Sequence, residues 1–229
     1  MILDDMERKL RPPEFDFAPY PAKSITLANG ERMVVRQCER EEVGVLLETV
    51  FPLMHAEEDY YDLVAARILA ELIAWYRYRI ANLFVLVGVV DGEIAGLVTS
   101  RLVSEKLGMS LHTMGIRRGM RIGAQLFAAK MEYHFDILEH DEVWIIAESS
   151  LGVKLWMIEY ALEDRTGKYP EVRHENGGVP TFALTRALYE AVRDQKVSGT
   201  RPVEEELLST AAVMKAPCTY PQLPGFVRQ

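Results

Sequence analysis

Residues 113–126 read Thr-Met-Gly-Ile-Arg-Arg-Gly-Met-Arg-Ile-Gly-Ala-Gln-Leu, and the fold class turns on this stretch. It joins a strand-like run at residues 108–115 to a helical pattern lasting from 119 to about 140. In that pattern Ala124, Phe127, Ala128, Met131 and Phe135 recur on the inward side. Gly115, Gly119 and Gly123 allow the backbone to approach a ligand closely and to aim successive N–H groups outward. The N-terminus of the following helix adds a partial positive charge. Arg117, Arg118, Arg121 and Lys130 lie in or just after the loop, and no acid intervenes between Arg117 and Glu132. In a chain of formal net charge −8, such a stretch is placed for a polyphosphate. The charges leave one alternative open, a basic loop that is solvated or paired with acidic neighbours.

Upstream lies the clearest local signal. Leu83–Val90 and Glu93–Leu102 are rich in β-formers and are joined by Asp91-Gly92, a dipeptide suited to a type I′ hairpin turn. Residues 31–37 read as a short strand opened by the Asn29-Gly30 turn. Residues 39–51 read as a helix carrying Val43, Leu46, Leu47 and Val50 and ended by Pro52. Residues 55–82 read as a longer helix with Leu63, Ala66, Leu69, Ile73, Tyr76 and Ile80 on its apolar side. Downstream, residues 142–148 form a buried strand and 151–163 a helix. Residues 170–175 and 181–184 are weaker strand candidates, followed by a helix through Gln195. An antiparallel meander followed by one β-α-β crossover predicts an α/β protein with a mixed sheet. Prolines crowd both ends and are absent between Pro52 and Pro170. This predicts an N-terminal arm over 1–30, a domain over 31–199 and a C-terminal tail over 200–229.

The strand–Arg-Gly-x-x-Ile-Gly–helix arrangement resembles the acetyl-CoA-binding motif of the GNAT superfamily of N-acyltransferases, usually filled as Arg-Gly-x-Gly-Ile-Gly. Arg118, Gly119, Ile122 and Gly123 match, and Arg121 stands where the central glycine is expected. The likeness extends from residue 31 to about 186. Residues 36–43 are similar to the first strand and helix start, the Asp91-Gly92 hairpin to the second and third strands, and residues 142–163 to the fifth strand and its helix. The resemblance implies a GNAT-like, largely antiparallel twisted sheet flanked by helices, with acetyl-CoA as acyl donor. It implies transfer of an acetyl or other acyl group to an amine by direct attack. The cofactor would lie on Met114, Gly115, Ile116, Arg117, Arg118, Gly119, Met120, Arg121, Ile122, Gly123 and Ala124, with Ser149 or Ser150 at the position where the family often has an Asn holding the pantetheine arm. The family's acid, a Tyr, falls on Trp156 or Met157, which leaves Tyr160 as the candidate. Loss of that acid, with Arg121 in the glycine position, points to the alternative of an inactive GNAT-like sensor or interaction module.

An amine arrives as ammonium, so a base is needed within hydrogen-bond reach, directly or through water. Glu148, at the end of the fifth strand, and His112, on the strand before the loop, are the candidates. Their plainer roles are a solvated or capping carboxylate and a His satisfied within the sheet.

Composition narrows the rest. With 49% hydrophobic and 26% charged residues the chain is ordinary globular material, and its acidity argues against general nucleic-acid or membrane-surface binding. Cys38 and Cys218 supply neither a disulfide framework nor a multi-cysteine metal site. His55 with Glu57–Asp59 reads as the acidic first turn of a helix rather than a metal cluster, and His134 and His140 fit a helix surface or end better than a metal site. No apolar run reaches the ~18 residues of a membrane span, and residues 1–11 carry no apolar signal core. The expectation is a cytoplasmic protein that takes acyl-CoA and an amine. The apolar residues between the terminal prolines would pack on the domain or across a homodimer.

Overall fold

The computed structural model describes residues 2–13, 15–55, 61–146, 152–166 and 180–220. Their strands are β1 (Lys23–Thr26), β2 (Arg32–Gln37), β3 (Leu83–Val90), β4 (Glu93–Leu102), β5 (Leu107–Gly115), β6 (Glu142–Ile146), β7 (Glu163–Asp164) and β8 (Thr181–Thr185). They form one sheet in the order β1-β2-β3-β4-β5-β6-β8-β7. Every pairing is antiparallel except β5 with β6, the pair that the crossover helix must join. The helices are α1 (Ile2–Lys9), α2 (Val43–Val50), α3 (Tyr61–Tyr76), α4 (Ile122–Glu132), α5 (Arg186–Lys196) and α6 (Glu205–Ala212). The mixed, largely antiparallel sheet expected from the sequence is the one observed.

All residues of β3 are buried because both faces of the sheet are covered. Val85, Val87 and Val89 face Val43, Leu46 and Val50 of α2 and Ala65, Ile68, Leu72 and Trp75 of α3. Phe84, Leu86 and Val90 face Ile122, Leu126 and Ala129 of α4. The hairpin turn has φ 50° at Asp91 and 77° at Gly92, the left-handed pair that this dipeptide suggests. One expectation is overturned. The buried stripe of α3 is Ala65, Ile68, Leu72 and Trp75, whereas Leu63, Ile73 and Tyr76 are exposed. This helix is apolar nearly all round, so spacing alone cannot choose its inner face.

The pairing of β5 is irregular on both of its sides. Val98 of β4 pairs with Thr113 and Ser100 with Ser110, so Thr99 stands opposite both Leu111 and His112, and β5 bulges. On the other side the parallel β5–β6 register runs only from Leu107↔Glu142 to Ser110↔Ile145, while β5 continues to Gly115. Helix α4 can sit close over this end because position 96 of β4 has no side chain. A Cβ there would lie 2.7 Å from the Met114 carbonyl oxygen and 2.9 Å from Ile122 and Leu126.

Residues 23–26, inside the stretch read as an N-terminal arm, extend the sheet as β1. Residues 200–215 return to it. Thr200 bridges Ser24, Lys215 bridges Glu93, and Ala211 and Met214 enter the core. Both ends are fastened at Glu132, whose buried carboxylate accepts hydrogen bonds from Tyr20 (2.7 Å), Lys23 (2.7 Å) and Arg201 (2.8 Å). Within the helix expected at 151–163, Val153–Ile158 form a π-helix, and Ala161 at φ 52° turns the chain into β7. The strand candidate at 170–175 lies outside the described residues.

Candidate active site: a basic cavity between β5 and α4

A cavity of about 360 Å³ opens where β5 ends and α4 begins, within the size range of small-molecule sites. Its floor is Thr113, Met114 and Gly115, and its rim is the loop 117–121 with the first turn of α4. Tyr61 and Val64 of α3 close one side, and Gly152, Leu155 and Trp156 close the other. The strand reverses into the helix tightly enough that a Cβ on Gly115 would lie 3.0 Å from the Gly123 nitrogen. Gly119 makes the turn at φ 84° and Arg121 at φ 55°.

Arg121 is the N-cap of α4 and makes no side-chain cap, so it leaves the helix's first N–H groups to the cavity. Three arginines and no carboxylate line the wall among the described residues. Arg117 is steered by Glu31, both of whose carboxylate oxygens are 3.2 Å away. Arg118 lies over the Tyr61 ring at 5.1 Å, and the Tyr61 hydroxyl donates to the Gly115 carbonyl at 2.7 Å. Arg121 approaches Glu159 only to 3.9 Å and its side chain is 71% exposed. Its guanidinium is therefore a solvent-exposed part of the cavity rim.

Most of the residues expected to hold a cofactor lie on this wall: Met114, Gly115, Arg117, Arg118, Gly119, Arg121, Ile122, Gly123 and Ala124. Two do not. Ile116 is buried in the core against the α2–α3 side, and Met120 packs on the opposite cluster. Lys130 is a further correction, because its ammonium is wholly buried and turned away from the loop. It donates to the carbonyls of His112 (3.1 Å) and Thr99 (3.4 Å) and to the Thr113 hydroxyl (3.2 Å). Burial holds its pKa down to about 7, and the nearby Glu71 charge works in the other direction.

Tyr160 is also misplaced for an acid. It is 3% exposed and meets Phe127 edge-on at 5.2 Å in a core cluster off the cavity wall. Burial raises its pKa further above that of a free phenol. Trp156 takes the wall position instead and stacks on Phe127 at 4.1 Å. His112 is not on the described cavity wall either: it sits on the bulge of β5 beside Thr113, 8% exposed, with Nε2 3.0 Å from Oε1 of Glu71. Glu148, Ser149 and Ser150 lie outside the described residues. Sequence reasoning missed Tyr61, Val64, Gly152 and Leu155, because none carries a local signal and only tertiary packing brings them to the loop. No group of three or more His, Cys, Asp or Glu suited to a metal occurs among the described residues. No helix among them is long and apolar enough to cross a membrane.

Neither a family sequence model nor a curated protein sequence matches the chain. Solved structures do. RimJ of Mycobacterium smegmatis, solved in complex with CoA-disulfide, superposes with a TM-score of 0.51 at 13% identity. The alignment covers 78% of this chain and 96% of that one. FdhC, a nucleotide-linked sugar GNAT solved in its apo form, gives 0.51 at 10% identity, over 79% and 97% of the two chains. An acetyltransferase from Streptococcus agalactiae gives 0.50 at 11% identity, over 67% and 98%.

Proposed function

We propose that this chain, which has the fold of the GNAT acetyltransferases, is an acyl-CoA-dependent N-acyltransferase. The observation that carries the reading is the cavity at the β5–α4 junction. It has three arginines and no carboxylate on its described wall, and an uncapped helix N-terminus opens into it. The N–H groups at the start of α4 suit a pyrophosphate, and the arginines add charge-assisted hydrogen bonds to its oxygens. Arg121 supplies charge at a position where a glycine would only allow close approach. The pantetheine arm would run back from the loop along Gly115, Met114 and Thr113, the part of β5 beyond its described pairing with β6. The CoA-disulfide bound to the RimJ structure supports the choice of ligand.

In this reading the amine attacks the thioester directly. Holding the two reactants together supplies much of the rate, and a strand N–H near Met114 would polarise the acyl oxygen. Glu148, as a candidate base, and Ser149 or Ser150, as the position that would hold the pantetheine arm, belong to the proposal. Tyr160 does not, since it is buried off the cavity.

A second reading, a CoA-binding module without turnover, is favoured by Trp156, an indole where an acid is expected. Thiol release from acetyl-CoA with a panel of amines separates the two. Turnover that depends on both substrates supports the enzyme. Tight binding of acetyl-CoA with no thiol released beyond the protein-free rate supports the module.

A further inference from the structure

Behind the cavity floor, polar groups from three elements converge on the β5 bulge. The bulge deprives the His112 N–H of a ladder carbonyl, and the Thr99 hydroxyl accepts it instead at 3.2 Å. The same hydroxyl donates to Oε2 of Glu71 at 3.0 Å, and Oε1 of that carboxylate lies 3.0 Å from Nε2 of His112. From the opposite face of the sheet Lys130 binds the carbonyls of both Thr99 and His112. A ring of bonds thus fixes the imidazole, its backbone and its carboxylate partner together. Burying such a set is costly unless each member is satisfied.

The location also counts. His112 and Met114 are two residues apart on one face of β5, about 6.6 Å along the strand, and Met114 lies on the cavity floor. Glu71 lies two turns along α3 from Val64, which lines the same cavity. A carboxylate that accepts from Nε2–H fixes the tautomer, puts the ring's lone pair on Nδ1, and stabilises the imidazolium once a proton is taken up. Among the described residues, Lys130 from α4 is the further charged group in contact with this set, through the Thr99 and His112 carbonyls, and Arg67 lies one turn before Glu71 on α3.

We infer that Glu71 and His112 form the proton-accepting pair of the acyl transfer, with His112 the acceptor and Glu71 its positioning residue. The inference rests on the acyl-CoA function proposed for the cavity. The ammonium of the acceptor gives one proton to the imidazole, directly or through a water. The freed nitrogen lone pair attacks the thioester carbonyl, the new N–C bond forms and the C–S bond breaks. The nitrogen's second proton goes to the departing thiolate to give CoA thiol. His112 then returns its proton to solvent. The net change is ammonium plus acyl-CoA to amide, CoA thiol and one proton.

The test is the pH dependence of acetyl transfer to the best amine of the panel, for the wild type, His112→Gln and Glu71→Gln, with the acetyl-CoA dissociation constant measured for each. The expected result is a loss of a hundredfold or more in kcat for His112→Gln, with acetyl-CoA binding unchanged. For Glu71→Gln the acidic limb of the profile should move to lower pH. Nitrogen-15 NMR of the His112 ring in the wild type needs no variant to fold, and its protonation midpoint should coincide with that limb. Wild-type rates and profile in both variants, or a ring midpoint away from the limb, would overturn the pair and leave the acyl-CoA reading standing. A wild type that binds no acetyl-CoA would remove that reading itself.

Discussion

Arg121 holds a left-handed backbone conformation, φ 55°, that glycine adopts without strain. Its replacement by glycine should therefore have two opposite effects. Relief at the turn should stabilise the fold by about 0.5–1 kcal/mol. Loss of an exposed guanidinium from the cavity rim should weaken acetyl-CoA binding by roughly tenfold. Denaturant unfolding and calorimetry on Arg121→Gly check both. A less stable variant with unchanged affinity would contradict the role given to this side chain. The loop itself was legible in the sequence because glycine spacing and charge are local properties. Lys130 was not, since its charge reads the same whether it meets a phosphate or, as here, the carbonyls of a bulge.

At the scale of elements, the junctions are held by buried titratable groups and are sensitive to pH. His134, in the π-helical turn Tyr133–Ile137 after α4, lies 2.8 Å from His140 through their Nδ1 atoms and 2.6 Å from the Ser100 hydroxyl. Burial holds the His140 ring down to about 4 and that of His134 well below its usual value. In the unfolded chain both would titrate near ~6.5. The native state then binds fewer protons, and the stability this pair contributes is lost as pH falls from about 6.5 toward 4. The Glu132 carboxyl opens a second window. Burial alone would raise its pKa, but Arg201 and Lys23 bring it to about 2, so its share is lost between the ordinary carboxylate range and that value. Urea midpoints measured from pH 7.5 to 4 should fall steadily, and less so in His134→Gln/His140→Gln. A flat wild-type profile would show that the rings do not titrate as their burial requires. Neither junction was legible beforehand. Hairpins and amphipathic stripes are written in neighbouring residues, whereas Glu132 meets Tyr20 and Lys23 across more than a hundred positions. The inner face of α3 was hidden for a different reason, since apolar residues surround it.

For the whole molecule, the element order from β2 to β6, and again from β8 to α5, was readable because each of those strands and helices is bounded by its own turn, whereas the two-residue β7 was not foreseen. The ends were not, since β1 is only four residues long and α6 is flanked by prolines that suggest extended chain. A chain trimmed to residues 31–199 should lose cooperative unfolding. It lacks Tyr20, Lys23 and Arg201 around the Glu132 carboxylate, and removing partners from a buried charge costs about 3–5 kcal/mol. A sharp thermal transition in the trimmed chain would show that the two ends are accessory.

The central claim is that acyl-CoA occupies the cavity between β5 and α4. Calorimetric titration of acetyl-CoA into the full chain, beside Arg118→Glu, tests it most directly. Occupancy of that cavity predicts micromolar binding by the wild type and its abolition in the variant. No heat at millimolar acetyl-CoA, or equal affinity in the two proteins, would contradict it.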